Sequence, residues 1–229
     1  MRSLWRASLR GGQRTVLALW PRYKWRLTIR SSGLPMSVCA KIIRQRRQPL
    51  NSSVRRRMQG IQSVEHVLRV NHAGERGAIC IYRGQIAVSR WRAPDCVGAL
   101  TDMLAHEHAH FRTFDLLLKQ RGIRHCHALA LWALGGWSLG LFTALLGARS
   151  IWVCTAAVES TVNAHLEHQL AFLAADQEVL AAVQSIQADE RAHEAHAAQH
   201  GGKPSGAYAV LWYMVTGATS FAIWLSTRL

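Results

Sequence analysis

In LAHEHAHFRTF (residues 104–114) Glu107 and His110 stand three residues apart, and in SIQADERAHEAH (residues 185–196) Glu190 and His193 repeat that spacing. On an α-helix, side chains three residues apart share a face and can reach a common ion. A single Glu-x-x-His is weak evidence, because the pair arises by chance on many exposed helices. A lone glutamate upstream of each pair raises its weight: Glu75 lies 32 residues before Glu107, and Glu159 lies 31 before Glu190. The midpoints of these intervals fall at Trp91 and between Ala174 and Ala175, close to two turn signals. One is Pro94, of a type favoured at the first helical position, and the other is Asp176, a candidate N-cap. In an antiparallel helical hairpin, residues equidistant from the turn share a height, here about 24 Å along the axis for sixteen residues. Each half of the chain therefore brings one Glu and one Glu-x-x-His to a single level.

Beyond residue 60 the chain is rich in Ala, Leu, Val, Gln and Glu, poor in Pro, and without an alternating β-branched run, so the body reads as all-α. Four helical stretches are expected: about 61–91, 94–122 ending at Gly122, 150–174, and one from Asp176 to the Gly201-Gly202 pair. Two hairpins packed together place four carboxylates and two imidazoles in one bundle. One Glu from each of two helices plus Glu-x-x-His from each of the other two is the ligand set of di-iron and di-manganese carboxylate bundles, of which the ferritin-like four-helix bundle is the pattern. The expected ligands are Glu75, Glu107, His110, Glu159, Glu190 and His193. Carboxylates with one imidazole per metal suit iron or manganese, and the lack of thiolates argues against structural zinc. Four buried negative charges would be prohibitive without two divalent ions.

His106-Glu107-His108-Ala109-His110 also matches the zinc protease pattern His-Glu-x-x-His, but that reading leaves Glu75, Glu159 and the Glu190/His193 pair without a role. Asp189 and His106 occupy matching positions beside Glu190 and Glu107, where they either orient ligand histidines or face solvent. His165, near the expected site, reads either as a proton or electron relay or as a satisfied polar residue. Arg76 and Arg83 read as charge-balancing or surface residues. His125-Cys126-His127 reads as loop.

Two stretches carry no charge: residues 128–148 (ALALWALGGWSLGLFTALLGA) and 207–226 (AYAVLWYMVTGATSFAIWLS). Each has about the length needed to span a bilayer, yet internal glycines and many aromatics favour apolar helices packed on the bundle and attached peripherally at the lipid interface. Residues 1–60 hold fifteen Lys and Arg and no acid, whereas residues 61–229 hold thirteen of each sign. The formal charge of +15 thus belongs to the start of the chain. Residues 1–58 are expected to form a basic extension with the composition of a mitochondrial transit peptide, and 59–229 the catalytic domain. A neutral body offers no nucleic-acid face. Five scattered cysteines without a Cys-x-x-Cys pair fit a reducing compartment.

RVNHAGERGAICIYRGQ (residues 69–85), AVESTVNAHLEHQL (157–170), DERAHEAHA (189–197) and the closing apolar segment resemble the demethoxyubiquinone hydroxylase family of ubiquinone biosynthesis, over essentially all of residues 59–229. The resemblance implies a membrane-bound di-iron monooxygenase that hydroxylates the ring of demethoxyubiquinol, with two iron ions, dioxygen as oxidant and NADH as the ultimate electron source. It implies a place at the matrix face of the mitochondrial inner membrane, or at the bacterial cytoplasmic membrane. The implied partners are a lipid-quinol substrate, a lipid-binding protein and other enzymes of the ubiquinone biosynthesis complex. It implies that Glu75, Glu107 and His110 mainly serve one iron and Glu159, Glu190 and His193 the other, with some Glu bridging. His165 matches a family histidine placed near the irons, while Leu166 stands where some members have Tyr. A ferritin- or rubrerythrin-like iron oxidase or peroxide scavenger is the alternative, and a non-catalytic membrane assembly factor a lesser one.

Overall fold

The structure, a computed structural model, describes residues 63–228 and, as backbone only, three strands near the start of the chain. Two compact units are present, Met1–Ser52 and Ser53–Leu229. In the first, β1 (Arg6–Arg10), β2 (Gln13–Trp20) and β3 (Tyr23–Arg30) pair antiparallel in the order β1-β2-β3. The rest of the basic extension expected over residues 1–58 lies outside the described residues.

The second unit is all-helical over its described residues. Helix α1 (Val64–Arg92) opens at Ser63, whose side chain accepts a hydrogen bond from the His66 backbone N–H at 3.2 Å. It stops at Ala93 because Pro94 follows: the proline ring excludes helical conformation from the residue before it. A 3₁₀ turn, Pro94–Cys96, leads into α2 (Val97–Gln120), which ends where Gly122 takes a positive φ of 65° and Ile123 N–H reaches back to Leu118 O at 2.9 Å. Helix α3 (Leu129–Leu145) follows, then α4 (Ala148–Leu170) and a second 3₁₀ turn, Leu173–Ala175. Asp176 caps α5 (Gln177–Gln199) by accepting from Val179 N–H at 3.2 Å and also pairs with Arg121, tying the turn of the second hairpin to the end of α2. Helix α6 (Ala207–Ser226) closes the chain.

Helices α1 and α2 form one hairpin and α4 and α5 the other, and the hairpins meet along α2 against α5 and α1 against α4. Two apolar layers fill the bundle. One joins Val67, Leu68, Phe114, Leu117, Leu166 and Val183; the other joins Ile86, Leu100, Met103, Ile151 and Trp152. All six expected ligands are buried and stand, along their helices, between the residues of these two layers.

Helix α3 lies directly on α1. A Cβ at Gly136 would sit 2.4 Å from Gly77 O, and one at Gly140 only 2.2 Å from Ile81 O, so the two backbones touch where side chains would normally separate them. These glycines thus serve a close helix contact, in keeping with the expected packing of this apolar segment on the bundle. Helix α6 packs on α4 through Leu211 and Val215 against Val153, Ala157 and Val158. Both helices leave large apolar side chains in the open, including Leu134, Phe142 and Leu145 on α3 and Tyr213, Met214 and Phe221 on α6. Only α6, among the described helices, is long and apolar enough to cross a membrane; α3, at 17 residues, is shorter than the expected span.

Candidate metal centre

Glu75 comes from α1, Glu107 and His110 from α2, Glu159 from α4, and Glu190 and His193 from α5; all six are buried. Their ligand atoms form two overlapping groups, each with its atoms within 4.8 Å of one another. One is Glu75, Glu107, His110 and Glu190; the other is Glu107, Glu159, Glu190 and His193. Glu107 and Glu190 belong to both. Each group takes three residues from one hairpin and one carboxylate, Glu190 or Glu107, from the other.

Each imidazole turns Nδ1 inward. His110 Nδ1 is 3.2 Å from Glu190 and 3.7 Å from Glu75, and His193 Nδ1 is 3.2 Å from Glu190 and 3.4 Å from Glu107. The outward nitrogens are held by the two residues that the matching positions singled out, each acting across the hairpin boundary. Asp189 Oδ2 lies 3.1 Å from His110 Nε2, and His106 Nδ1 lies 3.0 Å from His193 Nε2 with the rings stacked. A partner on the far nitrogen fixes ring orientation, which is what a metal-binding histidine requires.

Burial pushes Glu107 and Glu159 well above the usual carboxylate range, reinforced by the charge of Glu190, and it raises Glu75 too. Burial acts on Glu190 in the same direction but is outweighed by hydrogen bonds from His110 and His193, which hold it down to about 2. Burial alone would lower the imidazoles. Glu190 and Glu75 instead raise His110 to about 11, and Glu107 and Glu190 raise His193 to about 9. Four carboxylates in this space demand compensating positive charge, which protons supply here and two divalent cations would supply better. Glu107 Oε1 and His110 Nδ1 are buried and, although close to His193 and Glu190, make no well-aligned hydrogen bond, which leaves both atoms available to a metal. The donor set fits a pair of hard divalent ions.

The spacing of the motifs did not point to Tyr82. Buried on α1, it donates its phenol O–H to Glu159 Oε1 at 2.7 Å, and its ring meets His193 edge-on with centroids 6.4 Å apart. Burial and the neighbouring carboxylates push its phenol well above the ordinary value. Also unsignalled is a reciprocal amide pair joining α1 to α4, Asn71 Nδ2 to Gln169 Oε1 at 2.9 Å and Gln169 Nε2 to Asn71 Oδ1 at 2.8 Å.

A cavity of about 360 Å³ opens beside the cluster, between α1, α3, α4 and α6. Its wall is mostly apolar, with Ile81, Trp132, Leu139, Val158 and Phe221, while Glu75, Glu107, Glu159 and Glu190 form its polar end. His165 is half-buried in this wall; burial pushes it down to about 4, and its Nε2 has no partner. The zinc-protease alternative fails on geometry, since His106 turns to His193 rather than joining His110 around one ion. Arg83 contacts His108 at the surface, His125-Cys126-His127 lies between helices, and Cys80, Cys96, Cys126 and Cys154 are buried thiols.

Residues 62–226 match the family model described as ubiquinone biosynthesis protein COQ7. Among curated proteins, the chain is 36% identical over 166 residues to the 3-demethoxyubiquinol 3-hydroxylase of Rhodospirillum rubrum, covering 72% of this chain and 78% of that one. It is 30% identical over 231 residues to the mitochondrial NADPH-dependent 3-demethoxyubiquinone 3-hydroxylase of Homo sapiens, covering 99% and 95%. The mitochondrial 5-demethoxyubiquinone hydroxylase of Saccharomyces cerevisiae is 29% identical over 182 residues, covering 72% and 78%.

Proposed function

The chain belongs to the family of ubiquinone biosynthesis protein COQ7 and is a hydroxylase of the demethoxyubiquinone type; we propose that it works on demethoxyubiquinol with two iron ions held by Glu75, Glu107, His110, Glu159, Glu190 and His193. The observation that carries the metal assignment is the pair of overlapping four-residue groups sharing Glu107 and Glu190. Bound there, iron supplies the activation of dioxygen that replacing a ring C–H by C–OH requires. One oxygen atom enters the ring and the other leaves as water, which consumes two electrons and two protons. A nicotinamide nucleotide is their source. The resemblance implies NADH, whereas mitochondrial relatives are named NADPH-dependent, so both belong in the assay. No nucleotide-binding Gly-rich motif occurs in this sequence, and the electrons enter from outside the chain's own bundle.

The protein's own residues provide the setting. The apolar wall takes the quinol ring and excludes water, and the carboxylate end orients the reacting carbon toward the ligands. His165, a titratable side chain of that wall whose Nε2 has no partner, relays a proton to or from the ring oxygen. The exposed apolar side chains of α3 and α6 rest on the lipid surface from which the prenyl tail enters, giving peripheral attachment at the matrix face of the mitochondrial inner membrane. Residues 1–58 act as the targeting segment. A lipid-binding protein and other enzymes of the ubiquinone biosynthesis complex are the partners.

The test is to load the detergent-solubilised chain with iron, supply demethoxyubiquinone, dioxygen and either NADH or NADPH, and weigh the quinone by mass spectrometry. The expected result is a gain of one oxygen that disappears in Glu159→Ala and His193→Ala. Unchanged quinone with peroxide consumed by an iron-loaded, reducible preparation would instead establish the scavenger; one zinc per chain with peptide cleavage would remove the di-iron reading altogether.

A further inference from the structure

Because the two hairpins carry the same unit, each position on α1 has a counterpart on α4. Seven residues past Glu75 stands Tyr82, and seven past Glu159 stands Leu166. The two differ in what they offer the opposite hairpin. Tyr82 reaches across and donates to Glu159 Oε1 at 2.7 Å, whereas Leu166, buried beside the cavity that Glu75 also lines, has no donor to give. Both imidazoles are braced from outside, His110 by the Asp189 carboxylate and His193 by the His106 ring, so the halves differ in those partners and, among the carboxylates, in the hydroxyl that only Glu159 receives from Tyr82.

We propose that Tyr82 is a positioning residue that makes the two metal positions unequal, by holding one oxygen of Glu159 so that the Glu159/His193 position binds its ion more tightly than the Glu75/His110 position. The inference rests on reading the cluster as a two-metal site. Its physical basis is that a carboxylate already oriented by a short hydrogen bond loses less freedom when a metal arrives. Tyr82 is not itself among the residues that line the cavity, so its effect reaches the reaction through the ligands it meets, Glu159 and, edge-on, His193.

The experiment is a cobalt(II) titration of the metal-free full chain in detergent, followed by the visible absorption of bound cobalt and by calorimetry. The native chain should bind two equivalents in two resolved steps, with Glu159→Ala removing the tighter and Glu75→Ala the weaker. Tyr82→Phe, which keeps the ring, should weaken the tighter step by about ten- to a hundredfold, alter its absorption band and leave the weaker step in place. Leu166→Tyr should strengthen the weaker step. In the iron-loaded enzyme Tyr82→Phe should lower kcat and leave the quinol KM unchanged. Loss of both steps in parallel in Tyr82→Phe, or a tighter step and spectrum identical to the native chain, would overturn the proposal while leaving the two-metal site standing. Fewer than two cobalt ions in the native chain would instead overturn the site itself, and this inference with it.

Discussion

Gly135 and Gly136 are neighbours on α3, and replacing each by alanine should change stability with opposite sign. At Gly135, which is exposed, an added Cβ meets nothing within 4 Å, so the change simply removes the cost of glycine in a helix interior. That should stabilise the protein by about 0.5–1 kcal/mol. At Gly136 the same methyl would stand 2.4 Å from Gly77 O and 3.0 Å from Cys80 Cβ. An ordinary carbon-to-carbonyl contact is about 3.3 Å or more, so α3 must withdraw from α1 by about 1 Å along most of their contact. The obstacle is backbone, which cannot swing aside. Forcing a methyl into such a contact costs about 1–3 kcal/mol even after local adjustment. The two variants should therefore differ by about 1.5–4 kcal/mol, which in a unit of this size separates their melting temperatures by roughly 3–16 °C. Far-UV circular dichroism melts of the metal-free chain in detergent would measure this directly. If the two variants melt together, or if Gly136→Ala is the more stable, the backbone contact between α1 and α3 is not a feature of the folded protein.

Asp189→Asn should weaken metal binding about ten- to a hundredfold in competition with a chelator while the apo-protein melts as before, because Asp189 acts on His110 from outside the cluster. His72, buried against Phe111 with both ring nitrogens unpaired, is pushed by burial from 6.5 down to about 4. As pH falls through 6.5 the unfolded chain takes up the proton first, so stability is full above 6.5, declines by about 3 kcal/mol towards pH 4, and levels off below. Urea midpoints against pH should show this slope, and His72→Phe should flatten it. Asp176→Ala removes both the α5 cap and the partner of Arg121, and should cost about 1–2 kcal/mol in equilibrium unfolding.

What could be foreseen from the chain depended on distance along it. Ligand spacing within a hairpin is helical arithmetic, and the turns announced themselves through Pro94 and Asp176, so all six side chains could be placed at one height before any packing was known. The helix ends at Gly122 and near Gly201 were equally local. Tyr82 escaped because its partner, Glu159, lies 77 residues away on another hairpin, and no spacing rule links a phenol to a carboxylate at that range. The crossing of Asp189 to His110 and of His106 to His193 likewise exists only once α2 and α5 are docked, although matching positions beside the ligands did mark both residues. Glycines 136 and 140 were open in the same way: a small residue in an apolar helix is compatible with lipid or with a neighbouring backbone, and only the neighbour decides.

The sharing of Glu107 and Glu190 between the two ligand groups has a consequence for how the protein is made. These residues are 83 positions apart and belong to different hairpins. The first hairpin by itself carries Glu75, Glu107 and His110, yet lacks the fourth member of their group, which comes from α5. On the proposed reading, a complete metal site therefore exists only in a chain whose two hairpins have closed on each other, so the site reports that the bundle has assembled.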